Sequence, residues 1–334
     1  MEIILVNRNS TDQSSAILSW HPDVKVVNEP PESGLVAGYA VGCRHARFDN
    51  LFFCNEDMWF SPDCLRRLEG LFDVHPRCGA AMPAQLTYNA DAVVNSGVWF
   101  RRSRWDRVSP FPFRQWIYNI TKHTSVVSGI NAGACLIRRI AYDEVGGWDT
   151  TFFLDYEDGD FSLRLWQRGW ECFVEPQALV FHAVGASNNN YIENGNTRVG
   201  TKRYVWQFSN QITIILKYFR GFALTFAPLL WIDRILRDLL KGRFYRAWLD
   251  CHVIRVTFKR LPRILRVRHE NHKWNIRRPG QRFYCDPAFD ADAVPNSSFQ
   301  SIEEFLVRVR SNLDSQSAHL GFLAALFLSI SMLI

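Results

Sequence analysis

Short apolar runs alternate with amphipathic segments through the first quarter of the chain. The apolar runs are rich in β-branched and aromatic residues and are bounded by polar turns, a pattern that predicts β-strands. The segments between them carry apolar residues at helical spacing. The predicted strands cover 2–6, 24–28, 51–55 and 79–83, and the predicted helices cover 12–19, 37–46 and 62–75. Strands that alternate with helices in this way are typical of an α/β fold with a mostly parallel sheet.

The stretch from residue 146 to residue 187 is the richest in candidate chemical groups. Glu157, Asp158 and Asp160 crowd the first turn of a predicted helix, at the positive end of the helix dipole, which favours the ionised form of a carboxyl group. An ionised aspartate in a pocket can act as a general base at neutral pH. Farther on, a predicted strand, a proline turn and a second predicted strand deliver His182 at a strand end. Taken singly, each feature also has an ordinary structural explanation, as a helix cap or a structural histidine.

Seven short motifs follow one another along residues 6–187. They are VNRNSTDQS (6–14), NEPPESGLVAGYAVGCRHA (28–46), FFCNEDMWFSPDCL (52–65), GACLIRR (133–139), GGWD (146–149), EDGDF (157–161) and VFHAVGAS (180–187). In this order and at this spacing, the set resembles the inverting glycosyltransferases of family 2, particularly the branch similar to rhamnosyl- and galactofuranosyltransferases. The resemblance covers roughly residues 1–215 and implies a GT-A fold, a nucleotide-diphosphate sugar donor and a saccharide acceptor.

Asp57 follows the apolar run LFFCN, at the carboxyl end of a predicted strand, where open α/β sheets bind ligands. The resemblance implies that Asp57 binds a divalent metal and that Asn55 and Glu56 beside it face the donor. It also implies that His182 supplies a second ligand to the same metal. Carboxylate oxygens suit Mg²⁺ or Mn²⁺, and an imidazole shifts the preference toward Mn²⁺. A simple turn at the strand end is the alternative explanation.

The acceptor side of the site is expected to contain Asp158, Glu157 and Trp148. The resemblance implies that Asp158 is the catalytic base, which takes the proton of the acceptor hydroxyl while that oxygen attacks the anomeric carbon and inverts its configuration. Glu157 and Asp160 are less favoured as the base, and Glu157 is assigned to the acceptor instead. Trp148 is a candidate platform for an acceptor sugar ring, although a core aromatic explains it equally well.

On the donor side, the chain departs from the family at two positions. Asn7 stands where the family usually has an aspartate that binds the nucleotide base, and Ala40 stands where it usually has an asparagine. Arg44 is a candidate ligand for a donor phosphate. These departures leave open a second interpretation, a non-catalytic relative that binds a nucleotide or a glycan. The intact metal and base motifs favour a working enzyme.

The motif that begins at residue 2 corresponds to the family's second strand, and a strand and a helix precede it in the family. We therefore expect an N-terminally truncated chain that apparently lacks the first βα unit. The strand at 2–6 is then expected at a sheet edge or beside an empty slot, with the base end of the donor site incomplete.

Charge separates the last third of the chain from the rest. The chain of 334 residues has a formal net charge of +6, and residues 234–282 hold 15 Lys and Arg against three Asp and Glu. Apolar residues at helical spacing lie between these charges, which is typical of an element that binds an anionic membrane surface. A solvated helix face is the alternative, and nucleic-acid binding lacks any recognised motif. We expect a GT-A domain at 1–215 and a basic, amphipathic, membrane-associating helical region at 216–334.

The remaining composition indicates the compartment. The eight cysteines form no CxxC pair, so zinc ribbons and thioredoxin-type redox sites are unsupported. No signal peptide opens the sequence, which favours the reducing cytoplasm. The apolar segments 221–232 and 320–334 are shorter than the ~20 residues of a spanning helix. We expect a peripheral protein on the inner face of the cell membrane, with a lipid-linked saccharide acceptor in the synthesis of a cell-surface polysaccharide.

Overall fold

The computed structural model describes residues 1–8, 10, 13–30, 34–87, 93–95, 97–100, 116–118, 123–183, 201–218 and 222–273. Within them the strands are β1 (Ile3–Asn7), β2 (Val24–Asn28), β3 (Asn50–Cys54), β4 (Met58–Phe60), β5 (Cys78–Thr87), β6 (Val93–Asn95), β7 (Val98–Phe100), β8 (Trp116–Tyr118), β9 (Ser125–Val127), β10 (Ala134–Arg138) and β11 (Glu171–His182). The helices are α1 (Ser14–Leu18), α2 (Gly34–His45), α3 (Cys64–Val74), α4 (Arg139–Glu144), α5 (Glu157–Gln167), α6 (Thr201–Tyr218), α7 (Phe222–Leu240) and α8 (Phe244–Lys273).

A seven-stranded sheet forms the centre of the described fold. Its strands follow the order β3–β10–β5–β11–β4, with β6 beside β5 and β9 beside β11. β5 and β11 pair in parallel, and the other pairs of this sheet are antiparallel. The sheet is therefore mixed, which corrects the expectation of a mostly parallel sheet. Helix α3 connects β3 to β5, and these two strands run in the same direction, as a helical crossover requires. β10 is inserted between them in the opposite direction, which the alternation of strands and helices cannot reveal.

β1 and β2 form a separate parallel pair, whose register places Asn7 opposite Asn28. Within the described residues β1 pairs with β2 alone, so it lies at a sheet edge, as the sequence predicts. Helix α2 packs against β1 through its glycine face, where Val6 lies 3.4 Å from the position that a Cβ would occupy at Gly42.

The two faces of the central sheet pack against different helices. In β10, Cys135 and Ile137 face the larger core, which α2, α4 and α5 complete, whereas Leu136 faces α3. This alternation is the period of two that a strand buried on both faces requires. Helix α3 presents one apolar stripe to its side of the sheet, made of Cys64, Leu68, Leu71 and Phe72. Their helical spacing confirms the amphipathic helix predicted in this part of the sequence.

β11 is one strand where the sequence predicts a strand, a turn and a second strand. Its register against β5 shifts between Glu175 and Leu179, and Pro176 lies inside that shift. Proline has no N–H to donate to the ladder, so the pairing pauses there and resumes without a change of direction. The continued strand ends at His182, as predicted.

Helices α6, α7 and α8 form the helical region that the sequence predicts after the sheet, and they enclose a third apolar cluster. The expected boundary between residues 215 and 216 lies inside α6. None of the helices in the described ranges is long and apolar enough to cross a bilayer. Residues 274–282 of the basic region and the apolar segment 320–334 lie outside the described residues.

Candidate active site

Asp57 and His182 form what we call the metal corner. Asp57 lies in the short turn between β3 and β4, and β4 pairs with the end of β11, so that Met58 stands opposite His182. This register places Asp57 Oδ1 3.1 Å from His182 Nε2. Asp57 Oδ1 is buried and makes no hydrogen bond with the described residues. Two adjacent ligand atoms of an octahedral ion, each at ~2.1 Å from it, lie about 3 Å apart, so this spacing is suitable for a shared cation.

The described residues supply two ligand atoms to such an ion rather than a complete cage. No group of three or more His, Cys, Asp or Glu side chains among them is arranged to hold a metal. Glu56, beside Asp57, is exposed. The side chain of Asn55 has a structural partner, because its Oδ1 accepts a hydrogen bond of 2.8 Å from the Tyr39 hydroxyl. A cation here would need further oxygen ligands from bound substrate or water.

Gln85 of β5 holds the imidazole of His182 from the other side. Its amide nitrogen makes a short contact with His182 Nδ1, and the Gln85 side chain is buried in the site. Partners of this kind fix the ring orientation of a metal-binding histidine. Sequence reasoning missed Gln85, although a lone polar residue near the end of the apolar strand CGAAMPAQLT was a usable signal.

Asp158 and Glu157 lie in the first turn of α5. Asp158 Oδ1 accepts a hydrogen bond of 2.7 Å from the backbone N–H of Gly159. Burial raises the pKa of Asp158 above its ordinary value, and the backbone hydrogen bonds offset part of that rise. Burial and the adjacent Asp158 charge raise the pKa of Glu157 as well. The sequence predicts that the helix dipole favours ionisation here, but burial acts in the opposite direction and is the larger effect.

The loop before β10 joins the metal corner to Asp158. The Tyr39 hydroxyl contacts both Asn55 Oδ1 and the carbonyl oxygen of Ala132, the latter at 3.1 Å. The backbone N–H of Asn55 donates to the carbonyl of Gly133 at 2.9 Å. The Ala132 backbone also hydrogen-bonds to Asp158. The structure therefore brings Asp57, His182 and Asp158, which the sequence places far apart, to the same edge of the sheet.

Asp160 is excluded as the base by its partners. It is fully buried, and its carboxylate contacts Lys217 Nζ at 2.8 Å, the Tyr218 hydroxyl at 2.7 Å and Arg164 Nε at 2.9 Å. Lys217 also reaches Asp149 of the GGWD motif at 2.6 Å. A carboxylate held by three donors in the interior has no open oxygen for an acceptor hydroxyl.

Trp148 is a core residue. Its side chain is 4% exposed, and its ring packs against Phe161, Phe53 and Tyr39 at centroid distances of 4.4, 5.3 and 5.7 Å. These neighbours cover the faces that a sugar ring would need. The core explanation is therefore favoured over an acceptor platform.

The predicted donor residues lie apart from one another. Asn7 ends β1, where its amide donates to Asn28 at 3.1 Å and its oxygen accepts from the Ser10 backbone N–H at 3.1 Å. Arg44 is exposed in the last turn of α2, next to the start of β3. Since α2 runs antiparallel to β3, Arg44 lies at the edge of the sheet opposite the metal corner. This position does not favour the prediction that Arg44 binds a donor phosphate.

Residues 1–145 match the family model described as glycosyl transferase family 2. Residues 1–145, less than half of the chain, are thus similar to a family 2 glycosyltransferase domain. This confirms the family and the enzyme class that the motif order predicts, and the mixed α/β sheet with its helical extension agrees with the predicted GT-A fold.

Two curated relatives of this family 2 domain cover about half of the chain. An N-acetylglucosaminyl-diphospho-decaprenol L-rhamnosyltransferase of Mycobacterium tuberculosis (strain ATCC 25618 / H37Rv) is 24% identical over 213 residues, which are 54% of this chain and 66% of the relative. An inactive polypeptide N-acetylgalactosaminyltransferase-like protein 5 of Macaca fascicularis is 26% identical over 198 residues, 54% of this chain and 44% of the relative. The chain thus spans just under two thirds of the first relative and less than half of the second.

Solved glycosyltransferases also align with the family 2 domain. GalNAc-T7 with UDP, GalNAc and Mn²⁺ gives a TM-score of 0.49 at 15% identity, over 66% of this chain and 42% of that one. The mannosyltransferase PcManGT from Pyrobaculum calidifontis, in complex with GDP-Man and Mn²⁺, gives 0.44 at 15% identity, over 85% and 73%.

Proposed function

We propose that the protein is a metal-dependent, inverting glycosyltransferase that moves a sugar from a nucleotide-diphosphate donor to a saccharide acceptor. The observation that carries this proposal is the placement of Asp57 and His182, 3.1 Å apart, across one loop from the half-buried Asp158. A cation site and a base on two sides of one crevice are what a displacement with a diphosphate leaving group needs.

Asp57 and His182 are the proposed protein ligands of a divalent cation, Mn²⁺ or Mg²⁺. Such an ion supplies positive charge against the diphosphate that leaves the donor sugar. Gln85 would keep the imidazole turned toward Asp57. Asn55 and Glu56 remain proposed donor contacts, with Asn55 oriented by Tyr39.

Asp158 is the proposed base. It takes the proton from the acceptor hydroxyl as that oxygen forms a bond to the anomeric carbon, and the bond from this carbon to the diphosphate oxygen breaks on the opposite face. Because the pKa values of Asp158 and Glu157 are both raised, the two adjacent carboxyls share a proton more readily than isolated ones. Glu157 in its protonated form can donate a hydrogen bond toward the acceptor.

Rhamnose and a lipid-linked acceptor are proposed as the sugar and the substrate class. The support is the mycobacterial relative, whose name gives rhamnosyl transfer to a diphospho-decaprenol-linked sugar. A role in the synthesis of a cell-envelope polysaccharide follows from an acceptor of this class.

An anionic membrane surface is proposed as the partner of the helical region. The end of α7 and the start of α8 expose large apolar side chains, among them Leu240 at 87%, Phe244 at 68% and Trp248 at 57%. Lys241 and Arg243 lie between them in sequence. Apolar groups flanked by cations suit the interface of an anionic bilayer, and the inner face of the cell membrane is the proposed location.

The test is a screen of nucleotide-diphosphate sugars, with transfer to lipid-linked saccharides measured in Mn²⁺, in Mg²⁺ and after chelation. We expect transfer that chelation abolishes. Asp158→Asn is nearly isosteric, so it should bind the donor normally and lose transfer by about 10²-fold or more. Near-normal turnover by Asp158→Asn at saturating donor contradicts the base, and full activity after chelation contradicts the metal. Donor binding without transfer from any donor supports the non-catalytic alternative instead.

A further inference from the structure

We propose that Arg203 and Asn210 of α6 are positioning residues for Asp158, acting through Asp155, and that the Asp155–Arg203 ion pair adjusts the charge state of the base. This inference rests on the proposed role of Asp158. It assigns a part of the catalytic unit to a helix that the sequence motifs do not cover.

The backbone before the base adopts an unusual conformation. Asp155 and Tyr156 are consecutive residues with φ of 66° and 70°, in the left-handed region that residues other than glycine seldom occupy. Tyr156 immediately precedes α5, so these two residues set the position and direction in which the helix begins. Such a conformation persists when the surrounding structure holds it.

Helix α6 provides that support. Arg203 makes a two-pronged ion pair with Asp155, with both N–O distances at 3.0 Å. The amide nitrogen of Asn210 donates to the carbonyls of Leu154 and Asp155, both at 2.8 Å, and Arg260 of α8 donates to the Asn210 oxygen at 2.7 Å. Asn210 is fully buried, and both the donors and the acceptor of its amide group are used.

The supporting residues share one face of α6. Arg203, Trp206 and Asn210 are three and four residues apart, which places them side by side along a helix. Trp206 stacks on Phe153 at a centroid distance of 4.0 Å. The backbone carbonyl of Phe153 accepts a hydrogen bond of 3.1 Å from the backbone N–H of Leu35 in α2. The residues that lead to Asp158 are therefore held between two helices.

The same contacts govern the electrostatics of the base. The Asp155 charge raises the pKa values of Asp158 and Glu157, after burial and the other local contributions, and Arg203 acts in the opposite direction on Glu157. The other titratable neighbours are Tyr39 of α2 and Cys135 of β10, and burial raises the pKa values of both well above their usual ranges. They are uncharged at neutral pH. Among the described residues, Asp155 is a charged neighbour of both α5 carboxyls, and Arg203 is a charged neighbour of Glu157.

A positioning role and a merely structural tie differ in the direction of their effects. Loss of the negative charge in Asp155→Asn lowers the pKa values of the two α5 carboxyls, and asparagine tolerates the left-handed conformation. Arg203→Gln leaves Asp155 uncompensated and raises those pKa values. A structural tie would weaken the fold in both variants without opposite shifts.

The experiment is a pH titration of the full chain by NMR, with ¹³C labels on the Asp and Glu carboxyl carbons. The two signals are assigned by their loss in Asp158→Asn and Glu157→Gln. We expect lower titration midpoints in Asp155→Asn, higher midpoints in Arg203→Gln, and no shift in Lys202→Gln, which removes an exposed charge from the same helix. Absent or parallel shifts in the first two variants overturn the electrostatic part of the inference.

Turnover tests the positioning part. Asn210→Ala should lower kcat by about 10²-fold, the effect expected of a small misplacement of a catalytic group, and leave the KM for the donor within about twofold. Arg203→Lys, which keeps the charge but loses the fork, should be intermediate. An unchanged kcat in a folded Asn210→Ala or Arg203→Gln protein overturns the positioning role while the proposed base stands. Full transfer by Asp158→Asn is the separate result that removes the base itself.

Discussion

The metal corner and the proposed base, Asp158, are held in place by two different kinds of contact. Strand register brings Asp57 and His182 together, since β4 and the end of β11 are neighbours in the sheet. Asp158 begins a helix whose entry is held by side chains of α6 and α8, 45 or more residues farther along the chain. Backbone pairing determines the first half of the site, and long-range polar contacts determine the second. The helical region is therefore as much a part of the site as the strands are.

The largest expected effect comes from the ion network below the base. Lys217 is buried between Asp149 and Asp160, and Lys217→Met removes the cation that these two carboxylates share, leaving each of them with one arginine. We expect a loss of about 3–5 kcal/mol in the free energy of unfolding, measured by denaturant titration. Lys202→Met, at an exposed position of the same helix, should change it by less than ~0.5 kcal/mol. If Lys217→Met costs under 1 kcal/mol, its ion pairs with Asp149 and Asp160 do not stabilise the packing of α6 against α5.

The second expected effect is a loss of metal affinity when the residue that holds His182 is changed. Gln85→Leu keeps the volume of the side chain but removes the polar contact to His182 Nδ1, so the Mn²⁺ affinity should fall by about 10–100-fold. Electron paramagnetic resonance of free Mn²⁺, with the nucleotide diphosphate present, measures this without turnover. Gln177→Leu, on the exposed side of β11, is the control. Unchanged affinity in Gln85→Leu would show that the strand register alone orients the histidine.

The pH dependence of stability should report the buried carboxyls. Because the pKa values of Glu157 and Asp158 are raised, their contribution to stability is fully present below the ordinary carboxyl range and is lost as the pH rises through the raised values. Glu157→Gln removes one of the two groups. The difference in free energy of unfolding between Glu157→Gln and the parent should therefore shift in favour of the variant as the pH rises from 5 to 8. The expected shift is at least about 1.4 kcal/mol, the equivalent of one pKa unit. Curves of unfolding free energy against pH that run parallel for the variant and the parent contradict this prediction. Asp73→Asn, at an exposed position of α3, is the control.

The smallest expected effect concerns the proposed membrane surface. Lys241→Gln should weaken binding to vesicles of anionic lipid by about fivefold, close to 1 kcal/mol, and the binding of the parent should decline with salt. Co-sedimentation with vesicles of increasing phosphatidylserine content gives the affinity. The matched change Lys25→Gln, on β2, should have no effect. Binding that ignores both salt and Lys241 would assign membrane attachment to a different part of the chain.

Local patterns were sufficient to predict much of the fold and the metal corner. The local spacing of apolar residues predicts the helices at 37–46 and 62–75 and the first strands. The structure contains these elements with bounds that differ by only a few residues. The family resemblance implied that Asp57 and His182 lie together, and the structure places the two side chains 3.1 Å apart. Strand direction was less accessible, since the insertion of β10 between β3 and β5 depends on contacts between distant segments.

Contacts between side chains that are far apart in the sequence could not be predicted from local sequence patterns. Arg203 and Asn210 lie in a helix whose apolar spacing predicts nothing about Asp155. The position of Arg44 depends on the direction of α2 relative to β3, which no local sequence pattern reveals. The raised pKa of Asp158 has the same origin, because the degree of burial is a property of the assembled core and outweighs the local helix dipole.

Gly133 gives the two halves of the site a common wall. A Cβ at this position would lie 3.0 Å from Asn131 Oδ1, 3.0 Å from Met58 Cε and 3.2 Å from Asn55 Nδ2. A single added methyl group would therefore press on the turn of the metal corner and on the loop behind Asp158 at the same time. Across homologous sequences, an alanine at position 133 should occur together with a smaller residue at position 55, 58 or 131. Covariation between position 133 and these neighbours would then reflect the contact between the proposed cation site and the loop behind Asp158.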